Sequence, residues 1–153
     1  MNCYRVSKYN PLYRKNGVYT RDEWTSYSDI GKIYGGKAFA AAEYEETESN
    51  YIQMLLELLK LLEIEGLKIL CLEKYEADLV WRENELLDSE KAAVFAADCL
   101  REKCWGKLTA RGFVWKTGYD FYMYFACDLM PQTISDVAKK YGLYTDKCEY
   151  NDG

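Results

Sequence analysis

The strongest hydrophobic period in the chain lies in its middle third, just before Gly66. Apolar side chains recur there every three or four residues, which places them on one face of a helix with 3.6 residues per turn. The pattern predicts a helix that begins at Thr47 or Ser49 and ends near Ile64. Its inner face comprises Tyr51, Met54, Leu55, Leu58, Leu59 and Leu62.

The residues before this helix carry weaker signals. Residues 3–9 alternate in the manner of a strand, and Pro11 and the pair Asn16–Gly17 then mark a turn or hairpin loop. Residues 22–31 are polar and aromatic and follow neither a helical nor a strand period. The pair Gly35–Gly36 closes this stretch, which we therefore expect to be irregular.

Two further elements follow the first helix. A nearly continuous apolar run at residues 67–72 predicts a short central strand. Asp88 or Ser89 provides an N-cap for a second helix that ends near Trp105–Gly106. Its inner face comprises Ala92, Phe95, Ala96, Cys99 and Leu100.

A hairpin and a third helix complete the pattern. Residues 107–115 and 120–128 are typical of strands, and residues 116–119 supply the turn between them. Pro131 opens a last helix that ends at Gly142. The order is roughly β-α-β-α-β-β-α. It predicts an α/β (α+β) fold, with one domain over residues 1–153, a small mixed or antiparallel sheet and about three packed helices.

Cysteine and histidine usage limits the chemistry that the chain offers. It contains no histidine and six cysteines, and no two cysteines form a C-x-x-C pair. A zinc site is therefore not expected, and Ser-His-Asp or Cys-His catalysis is excluded. Because no apolar export or membrane segment is visible, we expect a cytoplasmic protein with reduced cysteines. The cysteines are Cys3, Cys71, Cys99, Cys104, Cys127 and Cys148.

Neither phosphate binding nor DNA binding has a convincing motif. The glycines at 31 and at 35–36 precede lysines, but they match no phosphate-binding loop. Residues 133–143 resemble the first helix and turn of a helix-turn-helix. Too few residues follow for a recognition helix, and several of those are acidic. The sequence therefore predicts no nucleic-acid partner, and it requires no cofactor or metal.

Charge is unevenly distributed along the chain. Residues 43–90 hold 14 acidic and 4 basic residues, whereas the whole chain has a net charge of −5. A concentrated field of one sign attracts a partner of the opposite sign and speeds its association. The alternative is a solvated acidic helix surface that has no partner.

Two segments, residues 22–24 and residues 74–85, combine acids with tryptophan. Aromatic anchors among carboxylates suit a basic protein partner. Each tryptophan has a second interpretation, in which it fills the edge of the core. The candidate partner-binding residues are Asp22, Glu23, Trp24, Asp29, Glu76, Asp78, Trp81, Glu83 and Asp120.

Three stretches resemble small bacterial immunity proteins of polymorphic or contact-dependent growth inhibition toxin systems. They are residues 3–11, residues 22–31 except Tyr27, and the hairpin segment 118–124. The resemblance implies a protein that binds and neutralises a cognate toxin, which we expect to be a basic nuclease domain. Two other functions stay open, a carboxylate-dependent hydrolase and an adaptor or regulatory protein-binding module.

Overall fold

The computed structural model describes residues 1–148, and its centre is an antiparallel sheet of seven strands. Three helices accompany it, namely α1 (Ala41–Leu61), α2 (Ser89–Leu100) and α3 (Pro131–Lys140). The strands are β1 (Asn2–Ser7), β2 (Arg14–Lys15), β3 (Val18–Tyr19), β4 (Ile33–Tyr34), β5 (Lys37–Ala38), β6 (Leu67–Lys74), β7 (Leu86–Leu87), β8 (Cys104–Ala110), β9 (Phe113–Thr117), β10 (Met123–Cys127) and β11 (Tyr144–Cys148). The order across the large sheet is β11-β1-β10-β9-β8-β6-β7. The chain is a single α+β domain, as its pattern predicts.

The helices cover one face of the sheet and share one hydrophobic core with it. Helix α1 contacts both α2 and α3. Alternate strand residues such as Tyr4, Leu108, Trp115 and Phe125 point into this core. Gly106 of β8 faces α2, where a Cβ atom would lie only 2.9 Å from the ring of Phe95. Within residues 1–148 the other face of the sheet carries no α-helix, and we call it the open face.

The two small hairpins before α1 confirm the turn signals of the sequence. Asn16 and Gly17 join β2 to β3 with φ angles of 54° and 78°. Gly35 and Gly36 join β4 to β5 with φ angles of 58° and 79°. Both pairs lie in the left-handed region, which glycine and asparagine adopt most readily.

Two helix boundaries differ from their prediction. Helix α1 begins at Ala41 rather than at Thr47 or Ser49, because Tyr44 and Glu48 are buried and extend its inner face by two turns. A buried glutamate does not register in a hydrophobic pattern. Helix α2 starts after its N-cap Asp88, as predicted, but ends at Leu100. Residues 104–110 form strand β8 instead.

Three strand predictions also need correction. Residues 107–115 do not form one strand, because Gly112 turns the chain with a φ of 73° and separates β8 from β9. The run at 67–72 belongs to β6, which lies next to the edge strand β7 and is not central. Strand β11 has no counterpart in the prediction, since its sequence Tyr-Thr-Asp-Lys-Cys lacks an apolar alternation.

The prediction that all cysteines are reduced is wrong for Cys3 and Cys148, which form a disulfide between β1 and the edge strand β11. The sequence contains no local indication of this bond, because the two cysteines are 145 positions apart. The other four are free, with Cys71 exposed and Cys99, Cys104 and Cys127 buried. Over residues 1–148, no helix combines the length and the apolar character needed to cross a membrane.

Candidate binding groove

A groove of about 970 Å³ lies on the open face of the sheet and extends over one end of it. Its floor consists of outward side chains of β8, β9 and β10, and its rim consists of loop residues around them. One third of the lining residues are aromatic. The lining includes Thr25, Ser26, Glu73, Tyr75, Glu102, Trp105, Lys116, Tyr119, Asp120 and Tyr124.

The floor is set by the strand register. Tyr124 of β10 lies opposite Lys116 of β9, and the lysine Nζ is 5.9 Å from the centre of the tyrosine ring. The Trp105 Nε1 atom donates a hydrogen bond to the Thr117 carbonyl at 2.9 Å. At Gly118 a Cβ atom would come within 2.5 Å of the Tyr124 ring. Glycine therefore lets the tyrosine lie close against the backbone and form a half-exposed aromatic surface.

A β-bulge in β6 places Glu73 at the groove. Leu70 pairs with Lys107 and Glu73 with Trp105, so three steps along β6 match two along β8. Cys71, within this irregular stretch, has a φ of 58°. Because side chains alternate between faces, the extra residue puts Glu73 on the open face with Trp105.

The bulge is stabilised by a side chain that the sequence analysis assigned to a partner. The carboxylate of Glu83 accepts hydrogen bonds from the backbone N–H groups of Cys71 and Leu72, at 3.0 and 2.8 Å. These donors would otherwise lack a partner at the irregular step. Glu83 thus positions the strand that carries Glu73.

The loop between β9 and β10 projects Tyr119 and Asp120 from the rim. Tyr119 is 92% exposed. Asp120 and Phe121 have φ angles of 57° and 64°, which are costly for residues other than glycine and most of all for a bulky one such as phenylalanine. Such a conformation persists only when the surrounding structure holds it in place.

Two buried tyrosines hold this loop from below. The hydroxyl of Tyr9 donates to the Asp120 carbonyl at 2.5 Å, and the hydroxyl of Tyr51 donates to the Phe121 carbonyl at 2.7 Å. Burial raises the pKa of both phenols well above the usual value of 10. Both hydroxyls therefore keep their protons at physiological pH and remain donors.

Trp24 supports the same loop and is part of the core. It is 4% exposed, stacks on Phe39 with the ring centres 4.5 Å apart, and meets Phe121 edge-on at 5.0 Å. The Nζ atom of Lys8 lies 4.1 Å from its ring and 2.6 Å from a carboxylate oxygen of Glu23. Burial lowers the pKa of Lys8 despite this carboxylate.

Trp81 is likewise a core residue, at 7% exposure. Its ring meets Phe95 edge-on at 5.4 Å, and its Nε1 atom donates to Asp98 at 2.8 Å. Of the two interpretations of each tryptophan, the structure has the second, in which the indole belongs to the core. Trp81 anchors the loop after β6, and Tyr75 at the start of that loop reaches the groove.

Asp29 is buried and fixes the turn that brings Thr25 and Ser26 to the rim. Its carboxylate accepts a hydrogen bond from the Thr25 N–H at 2.9 Å and pairs with Lys32 at 3.0 Å. Burial alone would raise the pKa of Asp29, but the Thr25 hydrogen bond and the Lys32 ammonium outweigh it and lower the pKa to about 2.

Asp29→Asn is expected to make stability less dependent on pH. The folded pKa of about 2 lies below the unfolded value of about 3.9, so the carboxylate stabilises the fold above pH 4. That contribution disappears as the pH falls from about 4 through 2. Urea unfolding across this range should show wild type and variant converging at the acid end. The exposed residue Asp22 supplies the control Asp22→Asn, and a constant difference between wild type and Asp29→Asn would contradict the expectation.

The remaining candidate residues lie on the surface. Asp22, Glu76 and Asp78 are exposed and take part in none of the ion pairs of residues 1–148. Asp120 is the one candidate that lines the groove itself. Glu73 and Glu102 were not predicted from the sequence, because the position of Glu73 depends on a bulge and that of Glu102 on the left-handed turn after α2.

The rim has a surplus of negative charge. Glu73, Glu102 and Asp120 are exposed, and none of them belongs to an ion pair of the described chain. Glu73 accepts a hydrogen bond from the Tyr75 hydroxyl at 2.8 Å. The backbone N–H of Tyr75 donates to the Lys103 carbonyl at 3.0 Å, which ties this part of the rim to the residues after α2.

Cys99 and Cys104 lie beneath the groove, with their sulfur atoms 3.7 Å apart. Burial raises the pKa of Cys99 well above 9, so its thiol is not activated as a nucleophile. Within residues 1–148, no group of three or more His, Cys, Asp or Glu side chains is placed to hold a metal ion. No family model, curated protein or solved structure matches this chain.

Proposed function

We propose that this chain is an immunity protein that binds and neutralises a cognate bacterial toxin domain, and that the toxin is a nuclease. The groove and its acidic rim form the binding surface in this proposal. The resemblance of residues 3–11, 22–31 and 118–124 to immunity proteins supports it from the sequence side. The inhibition is by direct contact, so it needs no cofactor, nucleic acid or membrane.

The observation that carries the proposal is the combination of exposed aromatic rings with unpaired carboxylates at one groove. Tyr75 is 61% and Tyr119 is 92% exposed, and both stand beside acids of the rim. Tyrosine and tryptophan are enriched in protein interfaces, where they provide most of the binding energy. The loop that carries Tyr119 is also held in place, so less conformational entropy is lost when a partner binds.

The charge of the rim suits a nuclease in particular. Nucleases bind phosphates and therefore present basic surfaces. Carboxylates on an inhibitor occupy positions that phosphates would take, and the acidic middle third of the chain adds attraction at longer range. We propose the cytoplasm as the compartment, because a nuclease toxin that enters a cell acts there. Disulfides are rare in that compartment, so the proposal requires a protein that stays folded when the Cys3–Cys148 bond is reduced.

The proposal divides the candidate residues into two groups. Asp120 contacts the toxin, and the exposed residues Asp22, Glu76 and Asp78 extend the acidic surface. Glu23, Trp24, Asp29, Trp81 and Glu83 position the groove through the internal contacts described above. Glu73, Tyr75, Glu102 and Tyr119 join the contacting group.

Co-expression with the toxin domain encoded beside this chain is the direct test. The wild type is expected to protect cells and to co-purify with the toxin. A triple variant, Glu73→Gln/Glu102→Gln/Asp120→Asn, keeps the shapes of the side chains but removes their charge. It should bind at least about tenfold more weakly, mainly through slower association.

The matched control removes the same charge elsewhere. Glu45→Gln/Glu46→Gln/Glu65→Gln alters exposed acids on and just after α1, which lies on the opposite face of the sheet. Continued killing in the presence of the wild type would overturn the proposal. Equal weakening by both triple variants would show that only net charge matters. A substrate hydrolysed by the isolated chain, with turnover lost in Asp120→Asn, would instead favour the hydrolase.

A further inference from the structure

Three lysines lie on neighbouring strands of the open face. Lys68 of β6 pairs with Thr109, and Lys107 of β8 pairs with Leu70. Leu108 pairs with Trp115, so Lys107 and Lys116 are the next residues opposite each other across β8 and β9. Neighbouring strands are about 5 Å apart, so Lys107 and Lys116 lie side by side, and Lys68 lies on the diagonal from Lys107; we call these three residues the lysine row.

These lysines have no carboxylate partner. None of the ion pairs within residues 1–148 includes Lys68, Lys107 or Lys116. The two arginines at the other side of the open face differ in this respect, because Arg5 and Arg14 both bind Asp146 at 3.0 Å. The lysine row is thus positive charge that no ion pair of the described residues compensates.

The lysine row adjoins the acidic rim. Glu73 of β6 lies opposite Trp105 of β8. Lys107 is two residues beyond Trp105 on β8, so these two residues are about 7 Å apart along the strand. Lys116 lines the groove together with Glu73 and Asp120. The lining therefore combines carboxylates with Lys116, which lies beside Lys107, and with the rings of Trp105 and Tyr124.

We propose that the toxin enters this groove with a polypeptide segment that carries charges of both signs, with basic residues against Glu73, Glu102 and Asp120 and acidic residues against Lys107 and Lys116. This inference rests on the proposed function and specifies how the partner is recognised. A nucleic-acid strand is a poorer occupant, because its uniform negative charge would be repelled at the rim. A polypeptide can match both sides of the groove, and the two charges then fix its direction.

The double variant Lys107→Glu/Lys116→Glu separates this inference from general attraction. Each substitution changes the charge by two units, so the net charge falls from −5 to −9. A partner that is merely basic would bind this variant more tightly. A segment with acidic residues against the lysines would bind it at least about tenfold more weakly. The measurement is the affinity of purified wild type and variant for the adjacent toxin domain by isothermal titration calorimetry.

The control Lys91→Glu/Lys139→Glu makes the same charge change at exposed positions of α2 and α3. It is expected to bind as tightly as the wild type or more tightly. Circular dichroism checks the fold of each variant, and Lys107→Gln/Lys116→Gln replaces the Glu variant if that fails to fold. A thymidine oligonucleotide serves as the probe for a nucleic-acid occupant.

The outcomes distinguish the two proposals. If the wild type does not bind the toxin domain, the proposed function fails and this inference fails with it. If the wild type binds but the lysine variant binds as tightly, the inference alone is overturned. Oligonucleotide binding by the wild type that is lost in the lysine variant would overturn it too, in favour of nucleic acid. Selective weakening of toxin binding in the lysine variant supports it.

Discussion

Replacement of both Cys3 and Cys148 by serine is expected to lower the free energy of unfolding by about 4 kcal/mol. The bond joins residues 145 positions apart and so restricts almost the whole unfolded chain. Loop-closure entropy for about 145 residues amounts to about 5 kcal/mol, and measured effects are usually somewhat smaller. Urea unfolding of the oxidised wild type and of the double serine variant gives the difference directly.

Cys71→Ser is the control for this experiment, because Cys71 is exposed and free. Its free energy of unfolding should stay within about 0.5 kcal/mol of the wild-type value. Addition of a reductant should bring the wild type to the stability of the double variant. A wild type that does not respond to the reductant would show that the bond contributes nothing to stability. A reduced protein that stays folded would be compatible with function in a reducing compartment.

Arg101→Met is expected to cost about 3 kcal/mol. The Nε and Nη2 atoms of Arg101 donate to the two carboxylate oxygens of Glu48 at 2.9 and 3.0 Å, and Tyr44 donates to the same carboxylate at 2.5 Å. The Glu48 side chain is 9% exposed. Loss of the guanidinium therefore leaves a buried carboxylate with one donor, and breaking such a pair costs about 3–5 kcal/mol. We take the lower end because Arg101 itself is 31% exposed.

Thermal or urea unfolding measures this loss, and a second variant tests its cause. If the penalty arises from the charge left on Glu48, the double variant Arg101→Met/Glu48→Gln should recover part of the stability. A loss below about 1 kcal/mol for Arg101→Met would show that water compensates the carboxylate. Because the pair joins α1 to the end of α2, its loss should also weaken the rim at Glu102, the next residue.

Local patterns in the sequence were enough to predict the three helices and the Asn16–Gly17 turn. These features depend on periodicity and on backbone conformations that few residue types adopt. The start of α1 was misplaced because Glu48 is buried through a partner 53 residues away, which no local pattern reveals. Strand order and the Cys3–Cys148 bond are non-local in the same sense.

The sequence did not predict the groove, although two segments that reach it contain candidate residues. Residues 22–31 and the loop that begins at Tyr75 both reach it, but with Thr25, Ser26 and Tyr75 rather than with their tryptophans. Large indoles gain most from burial, and here each fills the core edge beneath the segment that carries it. Most of the acids were chosen because they lie close to Trp24 or Trp81 in the sequence. Asp120 lies close to neither and belongs to the hairpin segment 118–124.

The bulge in β6 gives this strand a place where a change of length can be absorbed. Deletion of Cys71 would restore regular pairing with β8, with Leu72 opposite Gly106 and Glu73 still opposite Trp105. The carboxylate of Glu73 would therefore keep its place above the aromatic floor. Related chains could thus lose one codon at this step while the groove persists, whereas a loss elsewhere in β6 would shift the register of the strand.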